Sequence, residues 1–391
     1  MVVPHGDHHQ MVWRVACRIR SVSGATRRVD LVRPDRRRVP RPLYAAPVSL
    51  PRSLPTSRVP DPADAPPLRW GILAPGGIAR SFADGLHRHT RQRVVAAGSR
   101  SLHRARVFAD KFGVERAYGS YQELVDDPAV DVVYVASPHS GHHEQALLAI
   151  AAGKHVLVEK AFTRNATEAA DVVRAARAAG VFAMEAMWTR FLPRTDVLTQ
   201  LLTDGVLGEL RSVLADNGQW FEPDPGHRLF DPEQAGGTLL DLGIYPISFA
   251  WSVLGRPDSF LASGTLTDTA VDAQVAMILQ YPAAQAVLAA TLTARTPTAA
   301  SVSGTLARVE IGHPFYTPVP LVLIDRDGER ITGDPEPIAG HLGLCHEAAH
   351  VAQLIADGAT ESPLMPLDES VAIMTFIDEV RARLGVGYPG E

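Results

Sequence analysis

Residues 68–80 read LRWGILAPGGIAR, and this stretch decides the fold. An apolar run, Leu68–Ala74, is broken by Pro75-Gly76-Gly77. A helical pattern follows with Ile78, Phe82 and Leu86 on one face. Strand, glycine turn and helix in that order aim main-chain N–H groups at an anion, as dinucleotide folds do for a pyrophosphate. Gly76 and Gly77 supply the turn and the close backbone approach, Ile78 follows them, and Ala79 is small enough for helix–strand packing. Aligned on G-x-G-x-x-A, the first glycine is replaced by Ala74, a departure from the strict fingerprint.

The same rhythm continues downstream. Apolar runs at Gln92–Ser99, Asp131–Ala136, His155–Val158 and Val181–Glu185 alternate with helical patterns at Leu102–Phe112, Ser140–Ala152 and Asn165–Ala179. Alternation of this kind predicts an α/β fold, a Rossmann-type doubly wound parallel sheet with right-handed crossovers. After about residue 190 the rhythm changes. Arg194–Leu202 and Thr238–Leu254 read as helices. Strand patterns follow at Ser259–Thr267, Ala273–Tyr281, Ala286–Ala294, Thr298–Ile311 and Leu321–Ile331, and two helices, Leu342–Ala356 and Leu367–Leu384, close the chain. Strands without intervening helices predict an α+β domain with a large, mostly antiparallel open sheet. The expected organisation is a tail at 1–66, a dinucleotide-binding domain at 67–190 and a substrate and dimerisation domain at 191–391. The last helices are placed to pack back on the first domain.

The tail stands apart in charge. Residues 1–66 hold 12 arginines, no lysine and five aspartates, a local net of +7 that leaves −12 for the rest. Its proline-rich, aperiodic texture predicts disorder. Arg27-Arg28 lacks the apolar run that an export signal needs, and the segment has little aromatic interleaving for base stacking. With a net charge of −5, the chain gives no global reason to expect nucleic acid or an anionic membrane as partner. No run of eighteen apolar residues marks a membrane span. The two cysteines, Cys17 and Cys345, lie outside any C-x-x-C pattern, which fits a reducing cytoplasm. His142-His143 and the i, i+4 pair His346/His350 lack an evident third ligand, so no metal is expected.

Two further motifs carry chemistry. The second strand ends on Ala97-Gly98-Ser99-Arg100, with Arg104 one helical turn on. NAD enzymes place an acid there for the adenosine ribose. A hydroxyl and a guanidinium fork suit a 2′-phosphate instead, so NADP is expected and NAD is the alternative. Lys160 ends the buried strand pattern GKHVLVEK, at the sheet edge where ligands bind. A lysine beside a cationic nicotinamide is expected to have a depressed pKa and to pass protons near neutrality.

The glycine turn, Ser137-Pro138-His139, GKHVLVEK and AGGTLLDLGIY together resemble the Gfo/Idh/MocA oxidoreductase family. EAMWTRFLP (Glu185–Pro193) with Asp241-Leu242-Gly243-Ile244-Tyr245 is similar to its branch of dihydrodiol dehydrogenases, D-xylose dehydrogenases and glucose–fructose oxidoreductase. The likeness runs from about Leu68 to Leu384. It implies that Lys160 is the catalytic lysine and that Glu159 faces the cofactor. It further implies that Tyr245 is the aromatic acid/base, where inositol dehydrogenases have histidine. Asp241, one turn before Tyr245, would orient a substrate hydroxyl and Arg228 would touch substrate. Ser137, Pro138, His139, His142, Trp188 and Arg190 match the cofactor side. Ala161 departs from the family's usual proline, often in a cis peptide. The implied function is NADP(H)-dependent hydride transfer to or from a sugar or cyclic polyol by a homodimer or higher oligomer. An inositol-type NAD dehydrogenase and a non-catalytic NADP(H) sensor are the alternatives.

Overall fold

The computed structural model describes residues 51–391; the expectations for 1–50 lie outside the described residues. Six strands form a parallel sheet: β1 (Arg69–Leu73), β2 (Arg93–Gly98), β3 (Arg116–Tyr118), β4 (Val132–Val135), β5 (His155–Glu159) and β6 (Ala183–Ala186). Their spatial order, β3-β2-β1-β4-β5-β6, reverses direction between β1 and β4, which opens a crevice at the carboxyl ends of those two strands. All of β4, and all of β5 but His155, is buried, as expected of strands covered by helices on both faces. The covering helices include α1 (Gly77–His89), α2 (Leu102–Phe112), α3 (Tyr121–Val125), α4 (His142–Ala151) and α5 (Ala166–Ala179).

After α6 (Pro193–Thr203) the chain enters an eight-stranded sheet. Its strands are β7 (Leu210–Gly218), β8 (Ser259–Leu266), β9 (Asp272–Gln280), β10 (Gln285–Thr291), β11 (Ala300–Gly304), β12 (Ala307–Ile311), β13 (Leu321–Asp325) and β14 (Arg330–Thr332). The order is β14-β13-β12-β11-β7-β10-β9-β8, and every pair is antiparallel except β7 with β10. Strand β7, at the centre, carries no strong apolar alternation and was not expected; nor were β3 and α3. The expected strand Thr298–Ile311 is a hairpin, β11 and β12, turning where Thr305 N and Leu306 N are taken by the carbonyls of Glu209 and Leu207. Leu321–Ile331 is likewise two strands, joined by a turn in which Asp325 Oδ1 accepts from the amides of Asp327 and Glu329.

Between the sheets lies the stretch that begins Gly236-Gly237. Gly237 has φ +107°, and a Cβ there would stand 2.2 Å from Asp272 Oδ1. The glycine lets the buried Asp272 carboxylate accept the amide of Leu239 at 2.5 Å and so cap the helical run from outside it. That run is not one α-helix. Leu239–Gly243 is π-helical and α7 (Ile244–Leu254) continues it. Pro246 has no N–H, so in either pattern a carbonyl one turn back loses its helical partner. By length and composition Pro232–Leu254 could cross a membrane, but most of it is buried in the protein's own core, where α7 packs on β7 and β10. Two helices finish the chain: α8 (Leu344–Ala356) packs on α1, and α9 (Leu367–Leu384) on α5.

Residues 51–66, expected to be part of a disordered tail, lie against the body. Arg58 pairs with Asp196 on α6 at 2.6 Å, and Pro62–Asp64 forms a 3₁₀ turn. Arg91 donates to the carbonyls of Ala63, Asp64 and Ala65. Asp196 and Arg91, both far off in sequence, give this segment partners that composition alone did not show.

Candidate active site

The crevice at the carboxyl ends of β1 and β4 is walled by main chain. Ala74 takes the left-handed conformation, φ +57°, at the position where the strict fingerprint has glycine. Gly76 precedes α1 without a side-chain cap, so the first amides of Gly77, Ile78 and Ala79 keep their donors for a ligand. A Cβ on Gly77 would meet nothing within 4 Å, which leaves the close approach open. Across the crevice Ser137 Oγ is buried without a partner, an orphan that a cofactor's polar atom would satisfy. At the end of β2, Ser99 is buried, whereas Arg100 and Arg104 are exposed and form no ion pair among the described residues. Burial raises the Tyr121 pKa, and the positive charges of Arg100 and Arg104 oppose that rise. Tyr121 thus lies within reach of both guanidinium groups, and the three side chains together suit an anionic ligand. Sequence reading missed it.

The chemistry-bearing side chains converge where β5 ends. Lys160 Nζ donates to the main-chain carbonyl of Asp241 at 2.9 Å and lies 3.5 Å from Asp241 Oδ1. The carbonyl is available because of the π turn, whose i+5 position is Pro246; the next carbonyl, Leu242, is taken by Asn217 Nδ2 at 3.2 Å. Arg228 holds the same carboxylate oxygen, with both terminal nitrogens 3.1 Å from Oδ1. Lys160 Nζ is 4.9 Å from the centroid of the Tyr245 ring. The Tyr245 hydroxyl accepts from Trp188 Nε1 at 3.2 Å. The peptide bond Lys160–Ala161 is cis, alanine notwithstanding.

Charge states follow from these contacts. Burial opposes ionisation of Asp241, but the Lys160 ammonium and the Arg228 guanidinium outweigh it and hold the carboxyl well below the usual range. Burial pushes the Tyr245 phenol up to about 12 even though Lys160 pulls it down. Burial also works to lower the Lys160 pKa, yet Asp241, Tyr245 and Glu159 more than offset it, and the ammonium is held above its ordinary value. This is opposite to the expected depression, which counted a cationic ring near the lysine and not the Asp241 carboxylate.

Other expected residues fall in different places. Glu159 is buried, accepts the Tyr134 hydroxyl and takes the Lys160 amide at 3.2 Å. His139 Nδ1 lies 3.1 Å from the Ala235 carbonyl. His142 is buried with its ring nitrogens 3.0 and 2.8 Å from the carbonyls of Ala161 and Ser137, so it braces the backbone beside Lys160. Pro138 starts the 3₁₀ turn that carries His139. Arg190 is not brought to the site. Its donors go to Ser248 Oγ, the Ser248 carbonyl and Glu369 Oε1, and tie α7 to α9. His350 Nε2 is taken by Ser362 Oγ at 2.8 Å, and no three metal-binding side chains converge among the described residues.

Three further side chains that the sequence reading did not single out reach the site. Tyr316 stacks on Tyr245 with centroids 4.7 Å apart, Gln219 Nε2 donates to the Tyr316 hydroxyl at 3.3 Å, and His341 stacks on Trp188 at 5.4 Å. The only hint was the Pro-flanked aromatic pair Phe315-Tyr316 in a loop between strands.

Comparison with known proteins agrees with this geometry. Residues 68–187 match a model described as an oxidoreductase family with an NAD-binding Rossmann fold, and residues 196–310 match the GFO/IDH/MocA C-terminal domain. Trans-1,2-dihydrobenzene-1,2-diol dehydrogenase of Sus scrofa is 39% identical over 82% of this chain and 98% of its own length. The Homo sapiens protein of that name is 38% identical over the same shares. Among solved structures, KijD10, a 3-ketoreductase from Actinomadura kijaniata in complex with NADP, superposes with a TM-score of 0.72. It is 28% identical and covers 81% of this chain and 98% of its own. The two domain models together span most of the described body and the relatives are covered over nearly their full length, so the chain belongs to the Gfo/Idh/MocA family of NAD(P)-dependent oxidoreductases.

Proposed function

We propose that this chain is an NADP(H)-dependent dehydrogenase acting on a CH–OH group of a sugar, a cyclic polyol or a trans-dihydrodiol. The observation that carries the reading is the convergence of Lys160, Asp241 and Tyr245 on one point at the sheet edge. The name of the relatives at 38–40% identity supports a vicinal diol as the reacting unit. NADP is favoured by Arg100, Arg104, Ser99 and Tyr121, and by the NADP bound to KijD10.

When bound, the nicotinamide supplies or accepts the hydride. The protein's own residues handle the proton and the placement. Tyr245 takes the hydroxyl proton when the substrate is oxidised and returns it in the reverse direction. Burial favours the neutral phenol, and the Lys160 ammonium over its ring and the Trp188 N–H on its oxygen work against that burial by stabilising the phenolate. Asp241 keeps the ammonium charged and, with Arg228, presents a fixed acceptor and donor pair to a neighbouring hydroxyl. We further propose a homodimer formed through the exposed face of the second sheet, and a cytoplasmic location, for which Cys345, free among the described residues, is the support.

The test is absorbance at 340 nm with NADP+ and NAD+ against D-xylose, D-glucose and a trans-dihydrodiol. Lys160→Met and Tyr245→Phe should each lose about 10²–10³-fold in kcat. Full turnover in both variants would overturn the site assignment, and cofactor binding with no turnover on any of the three would favour a sensing role.

A further inference from the structure

Arg194, at the second position of α6, is 6% exposed. A buried guanidinium is costly and usually meets a carboxylate. This one spends its side-chain donors elsewhere. Nε donates to the carbonyl of Thr317 at 3.2 Å and Nη2 donates to the carbonyl of Phe315. Those are the two carbonyls that bracket Tyr316. The planar fork therefore grips the loop on both sides of a single residue, and the Arg194 amide is itself held by Glu336 Oε1 at 3.0 Å.

Tyr316 is the residue that this grip presents to the site. Its ring stacks on Tyr245, the candidate acid/base, at an interplanar angle of 23°. Its hydroxyl oxygen accepts from Gln219, which leaves its own proton to donate. The far side of the loop is seated as well. A Cβ on Gly343 would stand 2.7 Å from Pro318 Cγ and 3.3 Å from Trp188 Cζ3, so Gly343 lets both Pro318 and Trp188 approach the same stretch of backbone. The loop thus touches Tyr245 directly through Tyr316, and Arg194 is the part of α6 that fixes it.

We propose that Arg194 is a positioning residue. By pinning the carbonyls on either side of Tyr316 it holds that ring against Tyr245, and Tyr316 sets the substrate's approach to the Tyr245 hydroxyl. The inference rests on the reading of Tyr245 as acid/base, and it separates polyol turnover from cofactor binding. The cofactor crevice at Gly76, Arg100 and Ser137 lies on other elements, so loosening the loop leaves it unchanged.

A double-mutant cycle tests this. Arg194→Lys keeps the charge and loses the fork; Tyr316→Leu removes the ring. Each single change is expected to lower kcat/KM for the polyol about 10–100-fold, with KM for NADP+ within about twofold. Arg194→Lys added to Tyr316→Leu should cause no further loss. Multiplying effects, or an equal rise in the cofactor KM, would show Arg194 serving the fold at large and overturn the proposal. Should Arg194→Lys not fold, Tyr316→Leu alone decides, since an unchanged kcat/KM there is equally fatal. Amide hydrogen exchange gives a readout independent of activity. In Arg194→Lys, exchange over 312–320 should quicken while that of Ile244–Leu254 stays as in the wild type; no change over 312–320 overturns the positioning role. A wild type that turns over no polyol defeats the proposed activity instead, and the exchange result still stands on its own.

Discussion

The Lys160 ammonium donates to the main-chain carbonyl of Asp241 at 2.9 Å and stands 3.5 Å from the carboxylate of the same residue. One side chain is thus fixed by geometry through the carbonyl and by charge through the carboxylate. The two contacts are separable by mutation.

Asp241→Asn keeps the carbonyl and removes the charge. It leaves Lys160 buried and Arg228 half-exposed without their counter-ion, which should cost about 2–4 kcal/mol at pH 7 and lower kcat about 10²-fold. The pH dependence has a definite sign. A carboxyl whose folded pKa is depressed contributes stability above its unfolded pKa, and that contribution fades as pH falls through the lower folded value. Urea unfolding of wild type and variant should therefore differ at pH 7, and the gap should begin to narrow only as pH falls below about 4. A gap that does not narrow at all below about pH 4 would mean that the carboxylate charge is not what stabilises the site.

Arg100 and Arg104 flank Tyr121 at the end of β2 with no acidic partner among the described residues. Replacing both by alanine should raise KM for NADP+ about 10–100-fold while KM for NAD+ moves less than about threefold. Steady-state kinetics with each cofactor decide it. A parallel rise for both would assign the arginines to the fold and not to a 2′-phosphate.

Much of the site was legible because its residues lie at the ends of elements with strong periodicity. Lys160 follows a buried run at a sheet edge, and Asp241 and Tyr245 are four apart on one helical stretch. What escaped depends on contacts between distant segments. Strand β7 reads as polar because Asp216 and Asn217 are spent on other parts of the chain. Asp216 Oδ2 accepts the Thr298 amide at 2.8 Å, and Asn217 caps the Leu242 carbonyl. A strand that satisfies a loop on one side and a π turn on the other loses its alternation. Tyr316 sits in a loop, where no period points it at Tyr245. Arg190 was drawn to the cofactor by its neighbours in sequence, yet Glu369 on α9 offers it a carboxylate at 2.6 Å.

Two small residues test the backbone logic in opposite directions. Ala74 holds φ +57°, a conformation that costs an L-residue about 1–2 kcal/mol. Ala74→Gly should therefore stabilise the protein by up to about 1 kcal/mol after the entropy of glycine in the unfolded chain is counted. Gly237→Ala should destabilise it by about 2–4 kcal/mol, because the new Cβ would displace Asp272 from the amide it caps. Thermal melts of the two variants should move in opposite directions. A shift of the same sign in both would contradict the assignment of strain to Ala74 and of close approach to Gly237.

The exposed face of the second sheet carries a row of aliphatic side chains in register. Leu214 on β7 stands opposite Val287 on β10, Val287 opposite Ile278 on β9, and Ile278 opposite Leu261 on β8. All four are exposed, Leu261 at 65% and Leu214 at 49%. Such a row spans four strands without a charge in it, and soluble sheets ordinarily break a face of this kind with charged side chains. A second copy of the same face would cover it with matching chemistry and closed two-fold symmetry. Val287→Glu with Ile278→Glu places two carboxylates at the centre of the row and leaves the core face untouched. Sedimentation should give a dimer for the wild type and a monomer for the double variant, with the same far-ultraviolet circular dichroism for both. A wild type that sediments as a monomer, or a double variant that stays dimeric, would move the interface to another surface.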